Sequence, residues 1–336
     1  MATRFIFVGD PHFRGTNPRN RKDDYKAALV RKLYEIFELA AQHQVEAVIF
    51  AGDMFDLPDV ANSVLNEFAD VLNECPVPMY TTAGNHDIPG YNIQAYANTS
   101  LRLLERIVPR LHVINDPAIP QVFIGDSVDV AITFTPYSGK IDVDGYGYSP
   151  GYTVRDAYRI HVAHGMLLDH TPPFDRFTLV QEVKTTANMV LTGHDHTGYG
   201  VYQRGDGVIF CNPGSLTRLS ASESEIKRTV QVALITVLSG EFDNIEPGTT
   251  KGEVKLIPLK SAAPGEEVLD RSKIEADQAR QYAMENFAAL IQTKSGDRVL
   301  LDIPQIVDTI TEQEGLTPQV RDLALEKIEA ARMALV

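Results

Sequence analysis

Apolar and polar positions along the chain follow two alternating rhythms. Residues 4–9 (Arg-Phe-Ile-Phe-Val-Gly) form a short apolar run ending in Gly-Asp, which reads as a buried strand feeding a loop. Ala47-Val-Ile-Phe-Ala51 repeats the device and again ends in Gly-Asp, and Met79-Tyr-Thr-Thr-Ala83 leads into Gly-Asn-His-Asp. Between these runs the spacing turns helical. Tyr25, Leu29, Ile36, Phe37 and Ala40 share one face, with Asp23 or Asp24 placed to cap the first turn. Val60, Val64, Leu65, Phe68, Val71 and Leu72 make a second amphipathic helix, which Pro76 stops. Strand and helix in alternation predict an α/β core. Beyond it the pattern becomes strand-rich, at 129–135, 158–163, 188–192, 207–211 and 229–238.

The rhythm changes near residue 240. Ser239 to Gly248 reads as a loop and Ala262-Ala-Pro-Gly265 as a linker. Ser272-Lys-Ile-Glu275 matches a capping box that opens a helix to about Gln292. Thr317-Pro318 starts a last helix with Val320, Leu323, Ile328 and Ala331 along one face. The division expected is a main domain over 1–225, reduced capping strands and linker over 226–264, and a mostly helical module over 265–336. That module carries eight basic against fourteen acidic residues, so it is a poor DNA-binding surface. It packs back on the core or docks a partner.

Composition narrows the classes. A length of 336 residues suits two domains, and 44% apolar with 23% charged residues is ordinary globular usage. No stretch approaches the roughly 18 apolar residues of a membrane span, and the N-terminal apolar run is too short for a signal-peptide core. With Cys75 and Cys211 as the two cysteines, a disulfide framework and a four-cysteine zinc site are excluded, and the reducing cytoplasm is the expected setting. The net charge of −14 argues against a stand-alone protein that grips nucleic acid over a broad face. It leaves room for an enzyme that meets a few phosphates at a metal site, because the metals bring their own charge.

The candidate chemistry lies where the apolar runs end. Five clusters do so: Asp10-Pro-His12, Gly52-Asp53, Gly84-Asn85-His86-Asp87, His164-Gly165 and Gly193-His194-Asp195-His196. Ligands at strand C-termini converge on one rim of an α/β sheet. A set of His, Asp and Asn without cysteine suits Mn, Fe or Zn. Asp10, His12, Asp53, Asn85, His164, His194 and His196 are too many for one ion with an open position, and suffice for two if one carboxylate bridges. Two divalent ions less two carboxylate charges leave a site that attracts phosphate on an acidic protein. Water between such ions is largely hydroxide at neutral pH. His161, lying in a strand, reads as a packed core residue, and Asp56 as a loop residue or a neighbour of the substrate.

The ordered motifs D-x-H, GD, GNHD, H and GHDH, over roughly residues 4–220, resemble those of the calcineurin-like metallophosphoesterases. Asn212-Pro-Gly-Ser215 is similar to the family's closing loop. Gly52-Asp-Met-Phe-Asp56 resembles the segment of SbcD-type DNA-repair exonucleases, and residues 10–24 resemble phage-encoded members of that branch. The arginine that phosphatases and small-molecule phosphodiesterases carry soon after this Gly-Asp is missing here, the next one being Arg102.

The resemblance implies a β-sandwich flanked by helices and a two-metal site. Asp10, His12, Asp53 and His196 would hold one ion, and Asp53, Asn85, His164 and His194 the other. His86 would be the general acid, oriented by Asp87, and Asp195 a support for its histidine neighbours. Manganese is the metal implied, with Mg, Fe or Zn as alternatives. The function implied is a DNA nuclease, a 3′-to-5′ exonuclease with endonuclease activity, acting on DNA ends as a homodimer beside an SMC-like coiled-coil ATPase of SbcC type. The alternative is a small-molecule or cyclic-nucleotide phosphodiesterase of the same superfamily; a non-catalytic scaffold is disfavoured by the complete ligand set. Two further features bear on DNA. Residues 14–32 place seven basic side chains (Arg14, Arg19, Arg21, Lys22, Lys26, Arg31, Lys32) against two acidic ones, a candidate backbone contact. Tyr146, Tyr148 and Tyr152 lie in a Gly-rich loop and are candidates for stacking on unpaired bases.

Overall fold

Strand β1 (Thr3–Val8) sends Phe5 and Phe7 to one side and Ile6 and Val8 to the other, all fully buried. A strand buried on both faces needs a layer on each, and the apolar run without polar alternation reports this. In the computed structural model, which describes residues 2–125, 128–239, 250–272, 307, 311 and 317–333, those layers are a second sheet and a set of helices.

The strands after β1 are β2 (Ala47–Phe50), β3 (Met79–Thr81), β4 (Leu111–Val113), β5 (Gln121–Phe123), β6 (Asp129–Thr135) and β7 (Ala157–His164). They continue with β8 (Leu167–Leu168), β9 (Thr178–Leu179), β10 (Met189–Gly193), β11 (Gly200–Gln203), β12 (Ile209–Asn212), β13 (Gln231–Ser239) and β14 (Thr250–Pro258). The helices are α1 (Tyr25–His43), α2 (Asn62–Asn73), α3 (Ser100–Ile107), α4 (Glu223–Lys227), α5 (Gly265–Val268) and α6 (Pro318–Met333). One six-stranded sheet has the order β14-β13-β1-β2-β3-β4 and the other β11-β12-β10-β7-β6-β5, with β8 and β9 as a separate pair. Strands β1 to β4 run parallel, as do β6, β7, β10 and β12, so two sets of strand C-termini are available for a site.

Phe5, Phe7 and Ile49 of the first sheet pack against Ile132, Phe134, Val162 and Leu191 of the second. On the other side, Ile6, Val8, Val48 and Phe50 meet Leu29, Leu33 and Phe37 of α1 and Phe68 and Leu72 of α2. Helix α1 starts where Asp24 accepts a hydrogen bond from Ala27 N at 3.0 Å and stops at Gln44 in the left-handed region. The fold is thus α/β, two multi-stranded sheets flanked by helices.

Residues 226–264 depart from the expected cap. Strand β13 pairs antiparallel with β1 from Thr3↔Val237 to Phe7↔Ala233, and β14 pairs with β13. Ala233, Ile235 and Val237 join the layer between the sheets, and Val232 and Leu234 join the helical side. Period-two burial on both faces makes β13 an interior strand of the sandwich. The chain divides into two compact units, Met1–Arg271 and Ser272–Val336, so the boundary lies beyond 225 and 264. The helix expected from Ser272 to Gln292 lies outside the described residues apart from its first position. Helix α6 begins at Pro318, as Thr317-Pro318 leads one to expect. Among the described residues no helix is long and apolar enough to cross a membrane. Cys75 and Cys211 are free and buried.

Candidate metal centre

All seven expected ligands sit at or just beyond strand C-termini: Asp10 and His12 after β1, Asp53 after β2, Asn85 after β3, His164 at the end of β7, and His194 and His196 after β10. The loops are tied together. His12 N donates to Asp53 O at 3.0 Å, and Ser215 Oγ to Asp10 O at 2.9 Å. His12, Asp53 and His194 take φ of 50°, 46° and 82°, a left-handed backbone that non-glycine residues rarely adopt and that concentrates at functional sites. Two glycines permit the approach. A Cβ on Gly84 would lie 2.1 Å from Asp53 Oδ1, and one on Gly193 would lie 2.2 Å from Asp10 Oδ1.

Ligand atoms of Asp10, His12, Asp53 and His196 all fall within 4.8 Å of one another, and so do those of Asp53, His164 and His194. Asp53 is common to both groups. Asn85 joins the second, its Oδ1 being 2.9 Å from His164 Nε2. Each carboxylate has one oxygen committed and one free: Asp53 Oδ1 accepts from His86 N at 2.8 Å, and Asp10 Oδ2 from His194 N at 2.8 Å. Asp53 Oδ2 and Asp10 Oδ1 are buried without a hydrogen-bond partner. Buried carboxylate oxygens without partners are costly unless a cation meets them. His12 Nε2 and His196 Nε2 lie 2.9 Å apart, within hydrogen-bond distance of each other and in the same ligand group. His164 Nδ1 lies 2.8 Å from Ala51 O, so Nε2 is the nitrogen aimed at Asp53 Oδ2, 3.3 Å away. The donor set fits divalent metal ions, with Asp53 common to both groups.

The charges of the site act strongly on one another. Burial pushes the Asp10 carboxyl up. Burial also works against ionised Asp53, but the charge of His164, with those of His12 and His86, outweighs it and holds that carboxyl well below its usual range. His164 answers in kind: burial lowers it, and the charges of Asp53 and Asp10 raise it to about 9. Burial pushes His194 down to about 3, helped by the charge of His164, and drives His12 down as well.

His86 faces His12, with ring centroids 5.0 Å apart. Its Nδ1 lies 2.9 Å from the carbonyl oxygen of Asp56, which leaves Nε2 as its other functional nitrogen. The expectation that Asp87 orients this ring is corrected. The Asp87 carboxylate instead accepts from Met54 N, Phe55 N and Gly84 N at 3.2, 3.0 and 2.9 Å, pinning two site loops together. Burial, and then the charge of Asp53, raise the Asp87 carboxyl to about 7. Asp56 is the position that the sequence leaves open. Its Oδ1 is 3.8 Å from His12 Nδ1, and its Oδ2 is paired at 2.7 Å with Arg14 Nη1. Arg14 thus brings a guanidinium from the first loop to Asp56, beside His12. Asp195 accepts from Thr197 N and Gly198 N, shaping the turn that carries His194 and His196.

Three other expectations resolve. His161 is buried and bonded by Thr133, Thr135 and Gly147, a core residue. Tyr148 is fully buried with its hydroxyl on Asp142, which removes it from any stacking role, whereas Tyr146 and Tyr152 are exposed. The basic stretch 14–32 presents less charge than its sequence suggests. Lys32 is buried, the Arg21 side chain is nearly so and pairs with Asp23, and Lys26 pairs with Glu67. The buried cations serve the closing loop: Arg228 donates to Ser215 O and Thr217 O, Lys32 Nζ to Leu216 O at 2.7 Å, and Arg21 to Arg218 O at 3.5 Å. Consecutive carbonyls are thereby gripped directly behind Asp10.

Fold and site together define a metallophosphoesterase. The chain belongs to the calcineurin-like phosphoesterases, whose family model matches residues 3–198. The SbcD component of the nuclease SbcCD from Escherichia coli strain K12 is 32% identical over 108 residues, which is 29% of this chain and 26% of that protein. The match therefore takes in about a quarter of the relative's length. Among solved structures, the calcineurin-like phosphoesterase YfkN from Bacillus subtilis is similar over 85% of this chain and 98% of its own, with 14% identity and a TM-score of 0.44. A dimetal phosphatase from Danio rerio is similar over 76% of this chain and 98% of its own, with 11% identity and a TM-score of 0.43.

Proposed function

We propose that this chain is a two-metal phosphodiesterase acting on DNA, the nuclease component of an SbcCD-like complex. The observation that carries the reading is the pair of ligand groups sharing Asp53, each with a buried carboxylate oxygen left over. Asp10, His12, Asp53 and His196 would hold one ion, and Asp53, Asn85, His164 and His194 the other. The two ions, manganese by preference, would neutralise the phosphate and supply hydroxide at neutral pH.

The protein's own groups do the rest. His86, fixed through Nδ1 by the Asp56 carbonyl, presents Nε2 to the leaving oxygen and delivers a proton there. The Asp53 and Asp87 carboxylates hold the His86 loop through backbone amides. Arg14, anchored on Asp56 beside His12, offers positive charge at the same edge. DNA is favoured over a small substrate by the similarity to the SbcD component of the SbcCD nuclease. On an acidic chain, grip on the duplex falls to a coiled-coil ATPase partner of SbcC type, with residues 265–336 as its docking module and a homodimer as the assembly.

The test is cleavage of a 3′-labelled linear duplex by the purified chain with manganese, beside His86→Ser. Labelled mononucleotide released by the wild type and not by the variant supports the exonuclease and the acid together. Hydrolysis of bis-p-nitrophenyl phosphate without release from DNA would instead favour a phosphodiesterase of smaller substrates.

A further inference from the structure

A row of aromatic rings leads from His194 and His164 through Tyr137 to Tyr91. Tyr137 lies with its ring centroid 5.3 Å from His194 and 6.1 Å from His164. It is only 9% exposed and is pinned by its backbone N–H, which donates to Ala83 O at 2.9 Å. Tyr91 is next, its centroid 5.4 Å from that of Tyr137 at an interplanar angle of 55°, and it is 59% exposed. The guanidinium carbon of Arg176 sits 5.9 Å from the Tyr137 centroid, and its nitrogens are fixed on the carbonyls of Ser138 and Ile141.

Tyr91 is placed at a conformational penalty. Gly90 and Tyr91 take φ of 58° and 59°, so two successive residues adopt the left-handed region. A bulky residue there is an outlier, and such outliers persist where the surroundings impose them and cluster at ligand clamps. Packing does not account for it, since more than half of the side chain faces solvent. Tyr91 also follows His86 by five positions, on the loop that carries the candidate acid.

We infer that Tyr91 and Tyr137, with Arg176 over the Tyr137 ring, form a subsite that stacks the nucleobase of the nucleotide whose phosphate is cleaved. This rests on the phosphodiesterase reading above and adds its substrate class. A flat exposed aromatic face beside a phosphate site suits a planar base without regard to its sequence, because every base has a π-face. The Arg176 guanidinium over Tyr137 holds that ring by cation–π attraction and brings positive charge to the subsite. The chemistry recognised is nucleobase plus phosphate, held one ring contact from His194.

The test compares two diesters with the same leaving group, thymidine 5′-(p-nitrophenyl phosphate) and methyl p-nitrophenyl phosphate, with manganese. The wild type should prefer the nucleoside ester in kcat/KM. Tyr91→Ala should lower that preference about tenfold, through KM, and Tyr91→Phe should restore it. Calorimetric binding of thymidine 5′-monophosphate against inorganic phosphate gives a readout without turnover. The wild type should bind the nucleotide more tightly, and Tyr91→Ala should lose the difference. If catalysis fails but this difference stands, the subsite survives and the diesterase reading falls. If Tyr91→Ala leaves both the ester preference and the nucleotide preference unchanged, the subsite is overturned while the metal centre is untouched.

Discussion

The backbone N–H of His86 donates to Oδ1 of Asp53 at 2.8 Å, so the candidate acid is hung on the carboxylate common to both ligand groups. The bond fixes the Gly84–Asp87 loop and at the same time turns Asp53 Oδ2 into the site. Position of the acid and direction of the shared ligand are therefore one structural fact, and several consequences can be measured separately.

Asp53→Asn should disturb both ions, because both ligand groups lose their common charged oxygen. Metal analysis after dialysis against manganese should give at most one ion per chain, with diester hydrolysis abolished. Full metal content with full activity would remove Asp53 from the bridging position.

His86→Ser should act on proton delivery and leave metal content near that of the wild type. Hydrolysis of a DNA phosphodiester, whose alkoxide needs a proton, should fall by about 10²–10⁴. With bis-p-nitrophenyl phosphate the loss should be much smaller, because p-nitrophenolate leaves unprotonated. Equal losses on both substrates would argue against an acid, and loss of metal would make His86 a ligand.

Lys32 carries a pH-dependent stability. Burial first, then the charges of Arg21, Arg218 and Arg228, push its pKa from 10.5 down to about 7. Between those values the unfolded chain holds more protons than the folded one, so this group makes stability rise with pH. The cost of burying the ammonium is full below pH 7 and is relieved as the pH climbs toward 10.5. Lys32→Met removes the titration while leaving the Leu216 carbonyl without its donor. The stability of the wild type relative to Lys32→Met, from urea unfolding, should increase between pH 7 and pH 10. A constant difference would contradict the assignment.

Truncation after Arg271 follows the boundary between the two compact units and leaves both sheets complete. The shortened chain should hydrolyse bis-p-nitrophenyl phosphate at a rate close to that of the full chain and lose capture of a coiled-coil ATPase partner. A truncated chain that is inactive or insoluble would make residues 272–336 part of the catalytic fold.

Much of this site is legible along the chain, for a physical reason. Parallel strands buried on both faces write themselves as unbroken apolar runs, and chemistry placed at their ends follows directly, as Val8-Gly9-Asp10 and Ala51-Gly52-Asp53 do. What does not show depends on partners distant in sequence. Strand β13 reads as part of a cap because its pairing with β1 spans most of the chain. Asp87, next to His86, bonds backbone amides of another loop, and the ring is held by a main-chain oxygen that no side-chain pattern reveals. Lys32 and Arg21 read as part of a candidate contact to the DNA backbone, yet their donors turn inward onto the loop behind Asp10. Tyr91 gives no signal because its left-handed backbone follows from the loop and not from residue type.

The most direct test of the account is the manganese stoichiometry of the whole chain by calorimetric titration, followed across pH. Two ions per chain are predicted. Because one ligand group includes His164, whose pKa the charge of Asp53 raises to about 9, binding there should release a proton and tighten as the pH rises toward that value. A single ion per chain, or affinity for both ions unchanged by pH, would contradict the two-ion site built around Asp53.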